Sequence, residues 1–170
     1  MSFEIEKILD ESLKKAKEAY NSIADYSIEI GVIVSNNERK KVLVKDITNA
    51  ELMFIHENGS PLRNIPSRPV LQYTLQDSIK TIVPETIDRI YEGCFRKNWN
   101  KDDVKRELEK MCIRIQSHAK KIIYRSNRLV PNKPGTIKAK GSDRPLLDTG
   151  QLTRSITCRL ILSSEGNYND

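Results

Sequence analysis

The sequence is poor in aromatic residues and has no long apolar run. It contains one tryptophan, Trp99, three phenylalanines and six tyrosines, so any core must be built mainly from aliphatic side chains. No apolar stretch approaches the roughly 18 residues that a membrane-spanning helix requires. The opening MSFEIEKILDESLKK is acidic and periodic, without the layout of a secretion signal, which predicts a protein made in a cytoplasm. Cys94, Cys112 and Cys158 are widely separated and odd in number, which argues against a disulfide framework. Each sits at an apolar position and is expected as a buried, reduced thiol. His56 and His118 lie far from any cysteine pair, and HENGS lacks the second histidine of a zincin helix. No metal site and no cofactor are therefore expected.

The charge that is present is unevenly placed. Residues 1–95 carry 12 basic and 15 acidic groups, whereas residues 96–144 carry 15 basic and 5 acidic groups. A basic middle of this kind suits a phosphate backbone or an acidic protein partner. It is equally the composition of a solvated helix face followed by a basic loop.

With 170 residues, a single domain over 1–170 with a modest core is the natural expectation. Apolar residues at Ile5, Ile8, Leu9, Ala16, Tyr20 and Ile23 predict an amphipathic helix from Phe3 to about Ala24. YSIEIGVIVS alternates, with Ile28, Ile30, Val32 and Val34 on one face, and predicts a strand near 27–35. The turn SNNE then returns the chain as a second strand near 38–45. Thr48 and Glu51 form a capping-box pattern for a short helix that Gly59 ends. Ser67 is placed to cap a helix that starts near Pro69 and carries Val70, Leu71, Leu75 and Ile79, and Pro84 bends or restarts it. Ile87, Ile90, Tyr91, Cys94 and Phe95 continue at helical spacing. Asn100 is a candidate cap for a long helix whose stripe is Val104, Leu108, Met111, Cys112, Ile115, Ala119 and Ile122.

Asn127 to Pro145 reads as one long basic loop, with three prolines, two glycines and no regular period. Loops of that length in compact domains are usually functional or disordered. A third strand near 155–162 follows, with Ile156, Cys158, Leu160 and Leu162 alternating, and residues 163–170 read as a flexible tail. The expected fold class is α+β: a small antiparallel sheet packed against several helices.

Between loop and strand stands RPLLDTGQLTRSI, in which Asp148-Thr149-Gly150 looks like the catalytic tripeptide of an aspartic protease. That chemistry needs two carboxylates about 3 Å apart sharing a proton. Only 20 residues follow Gly150, and mostly helical sequence precedes it, so neither half of the expected all-β fold is available. A local reading accounts for the segment better. Asp148 or Thr149 caps the turn, with Asp148 and Gln151 at capping-box spacing, Gly150 allows a positive φ, and Leu152 and Ile156 enter the core.

RPLLDTGQLTRSITCRL resembles the signature segment of the neck, or tail-completion, proteins of tailed bacteriophages, also called virion morphogenesis proteins. Three further stretches agree in the same order: AELMFIHENGSP, IPSRPVL and KPGTIKAKG. The resemblance implies a non-enzymatic structural subunit of the virion, located at the head–tail junction. Such subunits form rings, commonly six- or twelve-fold, between the head connector or adaptor and the tail terminator, tube or sheath, around a lumen that passes DNA. It places the subunit and partner interface at Glu57, Gly59, Pro61, Arg68, Pro69, Pro131, Pro134 and Thr136. Lys133, Lys138, Lys140 and Arg144 become candidates for contact with DNA in the lumen or with an acidic neighbour. A tail-terminator subunit is the nearest alternative. A basic nucleic-acid-binding module is a further one, although its cations are not interleaved with aromatics for stacking.

Overall fold

The computed structural model of the protein describes residues 2–33 and 47–164, with side chains from Glu4 onward. The fold is α+β: among the described residues a two-stranded antiparallel sheet packs against helices. The elements in chain order are α1 (Ser2–Ala24), β1 (Tyr26–Val32), α2 (Asn49–Asn58), α3 (Val70–Lys80), α4 (Ile82–Lys97), α5 (Lys101–Arg125), α6 (Pro134–Lys140), α7 (Gln151–Ser155) and β2 (Ile156–Leu162). A single 3-10 turn, Pro61–Arg63, follows α2. β1 pairs with β2. The strand expected near 38–45 lies outside the described residues, as does the tail from residue 165. Contacts gather the described residues into two compact units, one from residues 2–29, 79–113 and 159–164, the other from residues 30–33, 47–78 and 114–158.

In the first unit α1 packs on α4, and the buried apolar residues include Ala19, Ile90, Cys94, Val104, Leu108 and Met111. The helix restarts in the turn that holds Pro84, the second of the two outcomes expected. The break falls at Thr81, and Pro84 is the third residue of α4, where a missing N–H costs no intrahelical bond. α4 ends at Asn98, whose φ of 49° is left-handed. Trp99 then folds back so closely that a Cβ on Gly93 would lie 2.2 Å from its ring. Asn100 starts α5 as its sequence position suggests. Its Oδ1 accepts from the N–H groups of Asp102 (2.9 Å) and Asp103 (3.0 Å), and Asp103 Oδ2 accepts in return from the Asn100 N–H at 3.0 Å. Glu107 accepts from Arg89 (2.7 Å) and Lys110 (3.1 Å). Burial raises the Glu107 pKa, but these two cations more than offset it and hold the carboxyl below its usual range.

The second unit closes around Met53, Val70, Ala119, Ile122, Ile123, Leu129, Leu146, Leu152 and Ile156, with Ile30 and Val32 of β1 packed against them. The capping box of α2 is formed: Thr48 Oγ1 accepts from the Glu51 N–H at 3.2 Å, and Glu51 Oε2 accepts from the Thr48 N–H at 2.8 Å. Gly59 ends the helix with φ of 76°, and a Cβ there would meet the Ser67 backbone nitrogen at 2.8 Å. Ser67 does not cap α3. Its hydroxyl donates to the Glu57 carbonyl at 2.7 Å, and the Glu57 carboxylate caps α3 by accepting from the N–H groups of Leu71 (3.0 Å) and Gln72 (2.7 Å). A carboxylate at a helix N-terminus is held by free N–H groups and by the helix dipole together.

The segment 127–145 is not wholly a loop: Pro134–Lys140 is helical. Pro134 supplies the fixed φ favoured at a first helical position, and Gly141, with φ of 67°, donates its N–H to the Ile137 carbonyl at 2.8 Å. Asp148 forms no capping box either. α7 starts at Gly150, φ 74°, with no side-chain cap; Thr149 Oγ1 lies 3.4 Å from the Gln151 nitrogen, and Arg154 donates to the Thr149 carbonyl at 3.0 Å. Leu152 and Ile156 are buried, so the turn still delivers them to the core.

Candidate functional site

The second unit holds a cleft of about 340 Å³. Its walls come from four separate parts of the chain: Leu52 and His56 of α2, Asn64 to Arg68 after it, Asn132 to Lys140 in and before α6, and Leu146, Asp148 and Leu152 around α7. Three of these parts are tied together by identifiable contacts. The Arg68 N–H donates to the His56 carbonyl at 2.6 Å, tying the loop back onto α2. The Arg68 side chain, 6% exposed, reaches across to the segment before α6. Its Nε donates to the Val130 carbonyl at 2.7 Å, and its Nη2 donates to the Pro131 carbonyl at 3.0 Å and to Asn132 Oδ1 at 3.4 Å. Asn132 in turn donates to the carbonyls of Asp143 (3.3 Å) and Arg144 (3.0 Å). It thereby joins the two ends of the stretch that contains α6.

The electrostatics are cationic. Arg68, Lys133 and Lys140 line the cleft, and Asp148 is the one acid among the described lining residues. The acceptors described for Arg68 are neutral oxygens, and burial draws its pKa downward from the usual arginine range. Lys140 is also lowered, chiefly by burial; the nearby Asp148 carboxylate opposes that shift and Arg68 adds to it. Lys133 donates to the Asn64 carbonyl at 3.4 Å. The arrangement can hold an anionic group over an apolar floor formed by Leu52, Ile65, Leu146 and Leu152.

Of the positions singled out in the sequence, Arg68, Lys133, Thr136, Lys140, Asp148 and Leu152 line the cleft. Glu57 caps α3, Gly59 shapes the approach to Ser67, and Pro131 contributes the carbonyl that Arg68 grips. Pro61, Pro69, Pro134, Lys138 and Arg144 are not among the lining residues, nor are Thr149, Gly150 and Gln151. His56, Asn64, Ile65 and Asn132 are lining residues that sequence reasoning did not single out for this role. The signal for Asn132 was its place between Pro131 and Pro134, where a polar side chain on a stiff segment is well placed to bond backbone.

A second polar cluster in the same unit centres on Asp77. Its Oδ2 is bonded by His118 Nε2 (3.0 Å) and Arg128 Nη1 (2.7 Å), and the Arg128 guanidinium lies 4.0 Å from the Tyr73 ring centroid. The bond from His118 holds the Asp77 carboxyl below its usual range against partial burial, with Arg128 adding to the effect. Among the described residues there is no cluster of three metal-ligating side chains, and no helix is long and apolar enough to cross a membrane. Comparison of the chain with protein families, with curated proteins and with solved structures gave no match.

Proposed function

We propose that the protein is a structural subunit of the head–tail junction of a tailed bacteriophage or related particle, built into a ring that joins the head connector to the tail. The observation that supports this reading is a convergence. The four stretches that carry the resemblance are spread from residue 50 to residue 160, yet each contributes to one cleft: His56 from the first, Ile65 and Arg68 from the second, Lys133, Thr136 and Lys140 from the third, and Leu146, Asp148 and Leu152 from the last. Motifs that share only a local turn preference would have no reason to meet. A surface built by all four is a natural place for neighbouring subunits or partners to bind.

The test is genetic and visual. Removing the gene from its phage or prophage should leave filled heads and finished tails unjoined, and supplying the chain in trans should restore joined particles. Joined, infectious particles made without the chain would sink the reading, and density for it at the free end of the tail would instead make it the tail terminator.

A second reading, a nucleic-acid-binding module, draws on the part of α5 within the second unit, where Lys121 and Arg125, one helical turn apart, face solvent. It predicts tight binding of duplex by the monomer, with affinity falling steeply as salt rises.

A further inference from the structure

The first turns of α1 leave apolar residues uncovered. Ile5, Ile8, Leu9 and Leu13 are 56%, 63%, 56% and 68% exposed, although the first three lie on the same helical face as Ala19, which is 2% exposed. The stripe is thus used at its C-terminal end, where α1 packs on α4 and Lys15 bonds Asn98 at 3.0 Å, and bare at its N-terminal end. Between Glu4 and Leu13 the charged residues are Glu4, Glu6, Asp10 and Glu11 against Lys7 alone. This is an apolar ridge about 15 Å long with acidic flanks. The Arg68 cleft has the complementary character: Leu52, Ile65 and Leu152 line it together with Arg68, Lys133 and Lys140, three cations against the single acid Asp148.

We infer that the Glu4–Leu13 ridge of one copy of this chain docks onto the Arg68 cleft of a second copy. Resting on the ring reading above, the inference names the surfaces that join neighbours in that ring. The two patches differ, so the contact is head-to-tail: it uses the ridge of one copy and the cleft of the next, and the pair as a whole still presents one free ridge and one free cleft. Repetition of such a contact closes a ring or extends a filament. Apolar burial supplies the attraction, and the opposed charges select the orientation and suppress ridge-to-ridge pairing. A three-turn ridge is small beside a standard stable interface, so association should depend on concentration and salt.

Two charge reversals in the full chain test this by sedimentation velocity. E4K/E6K inverts the acids that border the ridge on its two sides, and K133E/K140E inverts the cleft rim. The wild type should self-associate, and each reversal alone should weaken association about tenfold. Mixing the two variants, or combining all four substitutions in one chain, should restore it, because ridge and cleft are again opposite in sign. The apolar variant I5S/L9S, at positions already open to solvent, should lose association while keeping the wild-type circular dichroism spectrum.

A wild type that stays monomeric, or reversals that weaken association without rescuing one another, would overturn the docking. So would association that appears only when duplex DNA or another protein is added. Rings that persist in both reversals overturn the docking but leave the ring reading in place, since that reading fails only in the head–tail joining assay.

Discussion

Gly93→Ala sets two well-calibrated effects against each other. In a helix interior alanine is favoured over glycine by about 1 kcal/mol, so propensity alone makes the variant more stable. The structure predicts the opposite sign. A Cβ at position 93 would lie 2.2, 2.3 and 2.6 Å from three atoms of the Trp99 indole, and a real Cβ does not approach a ring so closely. The indole is planar and stiff and belongs to the turn that joins α4 to α5, so it must be displaced as a body. Overpacking of this kind costs about 1–3 kcal/mol, which exceeds or at least matches the propensity gain. The expected net result is a loss of about 1 kcal/mol, or roughly 2–4 °C in melting temperature for a chain of this length. Trp99 is the single tryptophan of the chain, so its fluorescence reports the displacement directly, as a red-shifted emission before any unfolding. Gly135→Ala in α6 is the control. Nothing lies within 4 Å of the Cβ it would add, so it should be neutral or slightly stabilising with unchanged emission. A Gly93→Ala variant that melts at or above the wild-type temperature with unshifted emission would refute the claim that the indole occupies the space over Gly93.

Arg68→Lys removes the fork that grips the Val130 and Pro131 carbonyls, and a lysine cannot reproduce it. Amide hydrogen exchange across residues 127–145 should speed up while that in α5 stays as in the wild type, and uniform exchange would count against the grip. Asp77→Asn tests the cluster with His118 and Arg128. Because the folded pKa of Asp77 is lowered, its contribution to stability is complete above the ordinary aspartate range and lost as pH falls through the lower folded value. Below about pH 4, wild-type stability should therefore fall with an extra slope that the variant lacks. Identical acid limbs in chemical unfolding would remove that role. Asp148→Ala should change stability by less than about 0.5 kcal/mol, because the carboxylate caps no helix. A loss of about 1 kcal/mol or more on thermal unfolding would mean that it caps α7 after all.

What was legible in the sequence was short-range. Thr48 with Glu51, and Asn100 with the residues after it, are capping patterns complete within four positions, and both helices start where those patterns place them. The stripe on α5 is likewise a property of one helix, and Val104, Leu108, Met111, Cys112, Ile115, Ala119 and Ile122 are all buried. What was not legible depended on distant partners. Ser67 has the chemistry of a cap, but Glu57, fourteen residues before Leu71, takes the position because α2 ends beside the start of α3. Asp148 has the right spacing from Gln151, but Gly150 opens α7 directly in a left-handed conformation. α6 has too few residues for an apolar stripe to show, and its evidence was the Pro134 and Gly141 that bound it, the same residues that made the stretch look like loop. The cleft belongs wholly to this second class, because Arg68 meets Val130 only through the fold. Periodicity also says that α1 has an apolar face without saying that half of the face goes uncovered.

Carbonyl and amide oxygens hold the Arg68 guanidinium in place without cancelling its charge. An arginine neutralised by an acid contributes little potential beyond its pair; one anchored on neutral dipoles contributes a standing field. Since a guanidinium keeps its proton through any ordinary pH, that field cannot be titrated away as a histidine's would be. The Arg68 share of the cleft's positive field is therefore fixed, whereas the share that Lys140 contributes stands in a balance between burial and the Asp148 carboxylate and can be shifted.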